Sequence, residues 1–349
     1  MIKSFNIKNF RCFKELNLKD LSTINIIVGD NGSGKTALLE ALLISAHGQP
    51  GGATLARLTR NRSLPQEQIT WNRDLFQALW EDLFFEFGHS KKIVATFVDS
   101  FAGGFRLEIS YEEAGSKPAF VSSGAIPSLV FVRRGGFPKK TIRTVLRIDE
   151  KGQPVFEGRA DMAPTIYILP STTQFFAEAI VNSFSELSRK NAERDVIAAL
   201  QKEFPEILDI SVLTDVNVST LFVTTKSVPS RKVPLAIVSA GAARYLNILL
   251  VIRVTSMGVV LVDEIENGIY WKKMSSIWQT LRQLCIEHNV QLFATTHSNE
   301  CLQSLVGAME GHEGDFSLIR TEVVKGVYGA KQFEGKKFLA ALKIHGELR

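Results

Sequence analysis

Cysteine is scarce in this chain of 349 residues: Cys12, Cys285 and Cys301 are the full set. They form no C-x-x-C pair and no metal-ligand spacing. That excludes a disulfide-stapled secreted domain and a zinc ribbon, and it reads as free thiols, small buried hydrophobes in a reducing compartment. Long hydrophobic runs are lacking as well. The most apolar window, Tyr245 to Val262, contains Asn247, Arg253, Thr255, Ser256 and Gly258, so no membrane span is expected. No secretory leader is expected either, because Met1-Ile-Lys-Ser-Phe-Asn6 alternates apolar and polar residues from the start. Solenoid-period repeats and low-complexity tracts are absent. Neither sign of charge dominates: the net charge of +5 permits an anionic partner without demanding one. A hydrophobic share of 45% is too high for a disordered or fibrous chain. A cytoplasmic α/β protein is the class that these absences leave.

What is present is clearest in the first forty residues. Ile2 to Ile7 alternates, Cys12 to Leu18 can pair with it, and Ile24 to Val28 is a short apolar run of the buried-strand kind. A glycine loop and an apolar helix from Lys35 to Ser45 follow. Beyond the break at Gly48 to Gly52, Phe76, Leu79, Trp80, Leu83, Phe84 and Phe87 recur at helical spacing and read as core. A β-meander is expected from Ile93 to Phe156, with Ala102-Gly-Gly104 as a hairpin turn. A further strand runs from Thr165 to Leu169, and two helices occupy Thr173 to Phe204. The last third alternates strand Ser211–Thr224, helix Ala242–Thr255, strand Val259–Val262, helix Trp271–Glu287, strand Gln291–Thr295 and helix Asn299–Ala308. Such alternation predicts a mostly parallel sheet.

Four short motifs carry chemistry. Gly29-Asp-Asn31-Gly32-Ser33-Gly34-Lys35-Thr36 is a complete G-x-x-x-x-G-K-T phosphate loop between a strand and a helix. Its glycines let backbone N–H groups converge on a phosphate at a helix N-terminus. Lys35 neutralises β/γ oxygens, and the Thr36 hydroxyl takes a Mg²⁺ position. Val259–Val262 ends in Asp263-Glu264, two carboxylates where ligands gather in open α/β sheets. Asp263 would hold Mg²⁺ and Glu264 would polarise the attacking water. Phe293-Ala-Thr-Thr-His297-Ser298 ends another strand, which makes His297 a sensor of the terminal phosphate. Val238-Ser239-Ala-Gly241-Ala-Ala-Arg244 opens a helix with a second anion-binding start.

Phosphate loop, Ser-Ala-Gly helix start, Asp-Glu strand and histidine switch, in that order, resemble an ABC-type ATPase. Ile7-Lys-Asn9-Phe10-Arg11-Cys-Phe13 narrows the resemblance to the branch of SMC, RecF and the overcoming-lysogenisation-defect (OLD) nucleases. Asp263-Glu-Ile-Glu266-Asn267-Gly268, Ala294-Thr-Thr-His297-Ser298 and the closing stretch Phe316 to Arg349 look like the small AAA-family ATPases within it. ATPase subunits of anti-phage defence systems, PARIS among them, share this look. The fold implied is α/β: a P-loop NTPase, an ABC-ATPase head with a mixed sheet, an inserted β-meander and a helical subdomain. On this reading a single domain spans 1–349, with 1–48 and 211–349 as nucleotide-binding core, 49–165 as inserted helix and meander, and 166–210 as helical subdomain. The resemblance also implies a homodimer that sandwiches two ATP molecules, with Ser239 and Gly241 capping the γ-phosphate held by the partner's phosphate loop. Asn267 and Gly268 would couple the two sites, and Arg11 would lie near the nucleotide. Gln49 and Gln174 are the candidates for a Mg²⁺-sensing glutamine.

Length and motifs then divide the functions. OLD nucleases carry a Toprim nuclease after the ATPase, but only 52 residues follow His297 here, without a D-x-D pair. Cleavage is therefore expected of a separate effector, a nuclease or toxin, with this chain as ATP-driven sensor or scaffold. The alternative is a RecF-like DNA-binding ATPase in repair or replication. Its warrant is the basic stretch Arg133, Arg134, Lys139, Lys140, Arg143 and Arg147, interleaved with Phe131 and Phe137 and free of acids from Phe131 to Ile148. Arg57, Arg60 and Arg62 form a weaker second patch. A transporter subunit would need Ser-Gly-Gly-Gln where Ser-Ala-Gly-Ala-Ala stands, and a GTPase would need an N-K-x-D, which is missing. A kinase fits poorly too, since Glu264 beside Asp263 suits water activation.

Overall fold

The computed structural model describes residues 1–47, 80–100, 103–112, 128–136, 139–148, 154–158, 166–171, 177–215 and 218–344. Gln49, Arg57, Arg60, Arg62, Phe76, Leu79, Phe137 and Gln174 lie outside them. Alternation in the first strand buries Phe5 and Ile7 on one face, as a period of two requires, and Phe10 is buried after Asn9 turns to φ 59°. This strand, β1 (Ile2–Phe10), pairs antiparallel with β2 (Phe13–Leu18), Phe10 facing Phe13. Strand β3 (Ile24–Val28) is buried at every position and leads into the phosphate loop and α1 (Lys35–His47). Helix α1 buries Leu38, Leu39, Ala41, Leu42, Leu43 and Ile44, which cover its whole circumference.

The residues form two compact units. One comprises Met1–Leu21, Asp30–Ile166 and Thr321–Lys331. Here the expected meander is present as β4 (Ile93–Asp99), β5 (Gly103–Glu112), β6 (Ser128–Gly135), β7 (Lys140–Ile148) and β8 (Pro154–Glu157). It extends the first hairpin into one antiparallel sheet, order β2-β1-β4-β5-β6-β7-β8. The aromatic stripe holds as core at Trp80, Leu83 and Phe84, whereas Phe87 is exposed. The helix expected there stops early because the chain meets the end of β1: Phe84 bridges Phe10, and the Arg11 N–H donates to the Leu83 carbonyl.

The other unit comprises Ser22–Gly29, Tyr167–Arg320 and Gln332–Arg349. After β9 (Ile166–Leu169) come helices α2 (Ala177–Arg189) and α3 (Glu193–Glu203). The single strand expected at Ser211–Thr224 is instead two strands of a three-stranded antiparallel sheet: β10 (Ile207–Asp215), β11 (Val218–Thr225) and β12 (Val228–Pro234). The apolar alternation runs on through Val212, Val216 and Val218, so periodicity alone hides the reversal that pairs Asp215 with Val218. A short α4 (Leu235–Val238) precedes α5 (Ala240–Val254), then β13 (Val259–Val262), α6 (Met274–Glu287) and β14 (Gln291–Thr295). The helix expected at Asn299–Ala308 is divided into α7 (Asn299–Gln303) and α8 (Val306–Met309), where the Ser304 hydroxyl donates to the Cys301 carbonyl at 2.6 Å. β15 (Phe316–Val324), β16 (Val327–Glu334) and α9 (Gly335–Lys343) follow, a strand pair and a helix.

The central sheet has the order β16-β15-β3-β14-β13-β9. β3 lies between β14 and β15 and is parallel to both, and β14 is parallel to β13. β13 and β14 are buried throughout, the pattern of strands covered on both faces. With a parallel core, an antiparallel meander and flanking helices, the fold is α/β with mixed sheet. All three cysteines are free thiols; burial pushes Cys12 up to about 11 and raises Cys285 and Cys301 too. No described helix is long and apolar enough to cross a membrane.

Candidate functional site

Because β3, β13 and β14 are parallel, their carboxyl ends share one edge of the sheet. Gly29 follows the first, Asp263 the second and Thr296-His297 the third. At the end of β13 the chain turns sharply, with Glu264 at φ 52°, a left-handed conformation costing roughly 1–2 kcal/mol for a residue with Cβ. Neighbouring groups impose it. The Thr295 hydroxyl accepts the Glu264 N–H at 2.7 Å and donates to Asp263 Oδ1 at 2.8 Å. The Ile265 N–H donates to the Thr295 carbonyl at 3.1 Å. Asp263 is buried and Glu264 half-buried. Glu266 Oε1 accepts the backbone N–H of His297 at 2.9 Å, and so ties the exposed His297 to the acid turn.

The phosphate loop bends at Gly29, Gly32 and Gly34, with φ of 143°, 77° and 99°. At Gly34 a Cβ would come within 2.9 Å of the Phe13 ring and 3.1 Å of Cys12 Sγ, so glycine is demanded by space as well as by φ. The Lys35 ammonium donates to the Asp30 carbonyl at 2.7 Å and so lies across the loop. Ser33 is buried, its Oγ bonded to Thr321 Oγ1 at 2.7 Å. Asn31 is exposed, and Thr36 is half-buried as the second residue of α1. Arg11 pairs through Nε with the buried Glu40 of α1 at 2.6 Å, so its charge is matched on the helix that the loop opens.

Ser239 caps α5: its side chain accepts the Ala242 N–H at 3.1 Å. Two residues on, the backbones of Gly241 and Gly268 meet; a Cβ on Gly241 would lie 2.2 Å from the Gly268 carbonyl oxygen. Gly268 takes φ 75°, and Asn267 donates to the Ser171 carbonyl at 3.0 Å. The structure therefore brings Ser239–Gly241 and Asn267–Gly268 together within one chain. Arg244, Thr295 and Glu266 also hold this edge, although the sequence pattern assigns them no role. Their signals are faint: an arginine in an apolar helix, a threonine inside the stretch Ala294-Thr-Thr-His297, and a third acid after the Asp-Glu pair.

The basic stretch is less basic than its sequence. Arg133 is buried, its guanidinium 4.1 Å from the Phe105 ring centroid, and Phe131 is buried as well; neither is part of an exposed face. Arg134 donates to Glu108 at 2.9 Å, Arg143 lies 3.6 Å from Glu112, and Arg147 pairs with Glu157. Burial raises the Glu108 carboxyl, but Arg106, Arg134 and Lys92 outweigh it and hold it below the usual carboxylate range. The acids sit on other strands, out of reach of a reading along β6 and β7. Lys139 and Lys140 stand exposed where β7 begins.

Residues 1–114 match the family described as AAA ATPase domain, and residues 176–302 the family described as "AAA domain, putative AbiEii toxin, Type IV TA system". The chain is similar to an "ATP/GTP phosphatase" of Helicobacter pylori, with 24% identity over 337 residues and 87% of each chain covered. It is 50% identical to the DNA replication and repair protein RecF of Idiomarina loihiensis over 54 residues, 15% of each chain. Among solved structures it is similar to the Smc head domain of Pyrococcus furiosus, with 13% identity, 99% of each chain covered and a TM-score of 0.47. The phosphate loop, the acid turn and the parallel sheet that carries them make this an α/β P-loop NTPase fold, and two segments of the chain resemble AAA ATPase domains.

Proposed function

We propose that this chain is an ABC-type ATPase that dimerises around ATP and serves as sensor or scaffold for a separate effector, a nuclease or toxin. The hydrolytic part is carried by one observation: Asp263 and Glu264 end a parallel strand on the sheet edge where β3 gives way to the phosphate loop, and Thr295 fixes both. Glu264 is the general base for water, Lys35 binds the β/γ-phosphates, and His297 senses the terminal phosphate. In the dimer, Ser239 and Gly241 cap the γ-phosphate held by the partner, and Asn267–Gly268 couple the sites.

Mg²⁺ fits the residues present. Thr36 and Asp263 offer a hydroxyl and a carboxylate, the hard oxygen donors this ion takes alongside phosphate oxygens and water. One oxygen of Asp263 is already oriented by Thr295. When bound, the ion would neutralise charge on the phosphates.

The effector role is supported by the toxin-system family resembled over residues 176–302. A RecF-like DNA-binding ATPase is the second reading, supported by the short, strong match to RecF. Glu264→Gln is expected to bind ATP, lose hydrolysis by about 10²–10⁴-fold, as general-base removal does, and accumulate as dimer in size-exclusion chromatography. Lys35→Ala is expected to lose tight ATP binding. Near-normal turnover in Glu264→Gln removes Glu264 from the base role. The neighbouring gene divides the two readings: a nuclease or toxin gene supports the effector partnership, and replication genes support the RecF-like role.

A further inference from the structure

Helix α5 is apolar around Arg244, with Ala242, Tyr245, Leu246 and Ile248 all buried. Arg244 itself is only 3% exposed. A guanidinium in such a place is costly unless its donors are filled. Here backbone carbonyls fill Nη1 and Nη2, while Nε is buried without a hydrogen-bond partner among the described residues. Nη1 donates to the Pro170 carbonyl at 2.7 Å, and Nη2 donates to the Asp263 carbonyl and, at 3.4 Å, to that of Glu264. Burial lowers the Arg244 pKa to about 10, against the pull of Asp263, Glu264 and Glu266, so the group is charged near neutral pH.

The acceptors are the informative part. An arginine placed to neutralise the acids would take their side-chain oxygens, and those bonds would compete with metal and water. Arg244 takes main-chain carbonyls instead, and so sets the path of the turn without engaging the carboxyl oxygens. It is also the second clamp between the same two segments. At the start of α5, Gly241 packs against Gly268; at the fifth residue of α5, Arg244 bonds Asp263 and Glu264. Two clamps on five residues of helix and six of turn leave little freedom for either to move alone.

We propose that Arg244 is a positioning residue for hydrolysis: it locks the Ser239–Gly241 helix start to the turn that carries Glu264, so that a phosphate captured at the helix start and the orientation of the base move as one body. This rests on the reading of Glu264 as the base. Arg244→Lys keeps the charge but can reach only one or two of the three carbonyls, and Arg244→Gln removes the buried charge while keeping one amide donor.

The decisive measurement is a double-mutant cycle on kcat, with ATP affinity measured by a fluorescent ATP analogue. Arg244→Lys is expected to lower kcat at least tenfold with ATP affinity unchanged within about twofold, since binding energy and rate are separable readouts. Arg244→Gln is expected to be slower still. In the Glu264→Gln background, Arg244→Lys is expected to add nothing, because residues that act through one another are not additive. Wild-type kcat in Arg244→Lys, or a further tenfold loss in the double variant, overturns the proposal. So does a fall of ATP affinity in step with kcat and melting temperature in both variants, which marks a structural arginine only. Failure of the base reading looks different: Glu264→Gln alone then turns over normally.

Discussion

The carboxyl edge of β13 and the ladder of β6 and β7 each gather charge of one sign, and they treat it in opposite ways. At the edge, Asp263, Glu264 and Glu266 follow a parallel strand, and hydroxyls, N–H groups and the Arg244 guanidinium hold the backbone of the turn in place. In the ladder, Arg134 and Arg147 meet Glu108 and Glu157 on adjoining strands, and Arg143 lies near Glu112 two strands away. One arrangement directs its polar contacts to geometry and the other to neutrality. A site that must meet a ligand needs the first; a solvated sheet face is served by the second.

Rigidity of the acid edge is tested hardest at Gly241. Any side chain there collides with the Gly268 carbonyl, 2.2 Å from an ideal Cβ, so Gly241→Ala must push the Asn267–Gly268 loop away from the helix start. A destabilisation of about 1–3 kcal/mol is expected, the usual range for overpacking, together with a loss of hydrolysis larger than any loss of ATP binding. Gly104→Ala in β5 is the matched control, since its Cβ would meet nothing within 4 Å; thermal unfolding should scarcely register it. Equal effects in the two variants would end the distinction between a close-packed edge and a tolerant ladder.

Thr295 gives a smaller and more local effect. Thr295→Val preserves shape but deprives the Glu264 N–H and Asp263 Oδ1 of their shared partner, and a buried group left unsatisfied costs about 1–3 kcal/mol. Urea unfolding should show that loss, kcat should fall, and Thr295→Ser should restore both. A Val variant with unaltered stability and turnover would mean that the turn holds its shape without the hydroxyl.

The two regions also differ in how much of them can be read along the chain. Gly29–Thr36, Asp263-Glu264 and Thr296-His297 are contiguous, and strand direction alone brings their ends to one sheet edge, so both fold class and candidate residues are legible. What is not legible lies at long separation. Arg244 bonds a carbonyl 74 residues away, and Thr295 serves a carboxylate 32 residues away. Arg134 is matched by Glu108, 26 positions earlier and across a strand pair. Burial of Arg133 beneath Phe105 follows from register, which puts it on the core side of β6 beside Leu107; a one-residue slip would have exposed it. Local chemistry is written in short motifs, whereas the groups that neutralise or orient it are chosen by pairing.

The mildest variants bear on the ladder. Arg134→Ala is expected to change stability by no more than about 1 kcal/mol, as half-exposed ion pairs do, because Arg106 and Lys92 remain beside Glu108. If nucleic acid binds at this end of the ladder, Lys139 and Lys140, exposed where β7 begins, are cations that can meet it. The slope of log affinity against log salt should then fall by about 1 for each of these lysines neutralised, as expected when one phosphate partner is removed, while Arg134→Ala leaves it unchanged. Affinities for a short duplex at several salt concentrations decide it. A slope that drops with Arg134→Ala instead would show that Glu108 does not hold that guanidinium against phosphate, and the ladder would then join the acid edge as a surface whose charge is kept for a ligand.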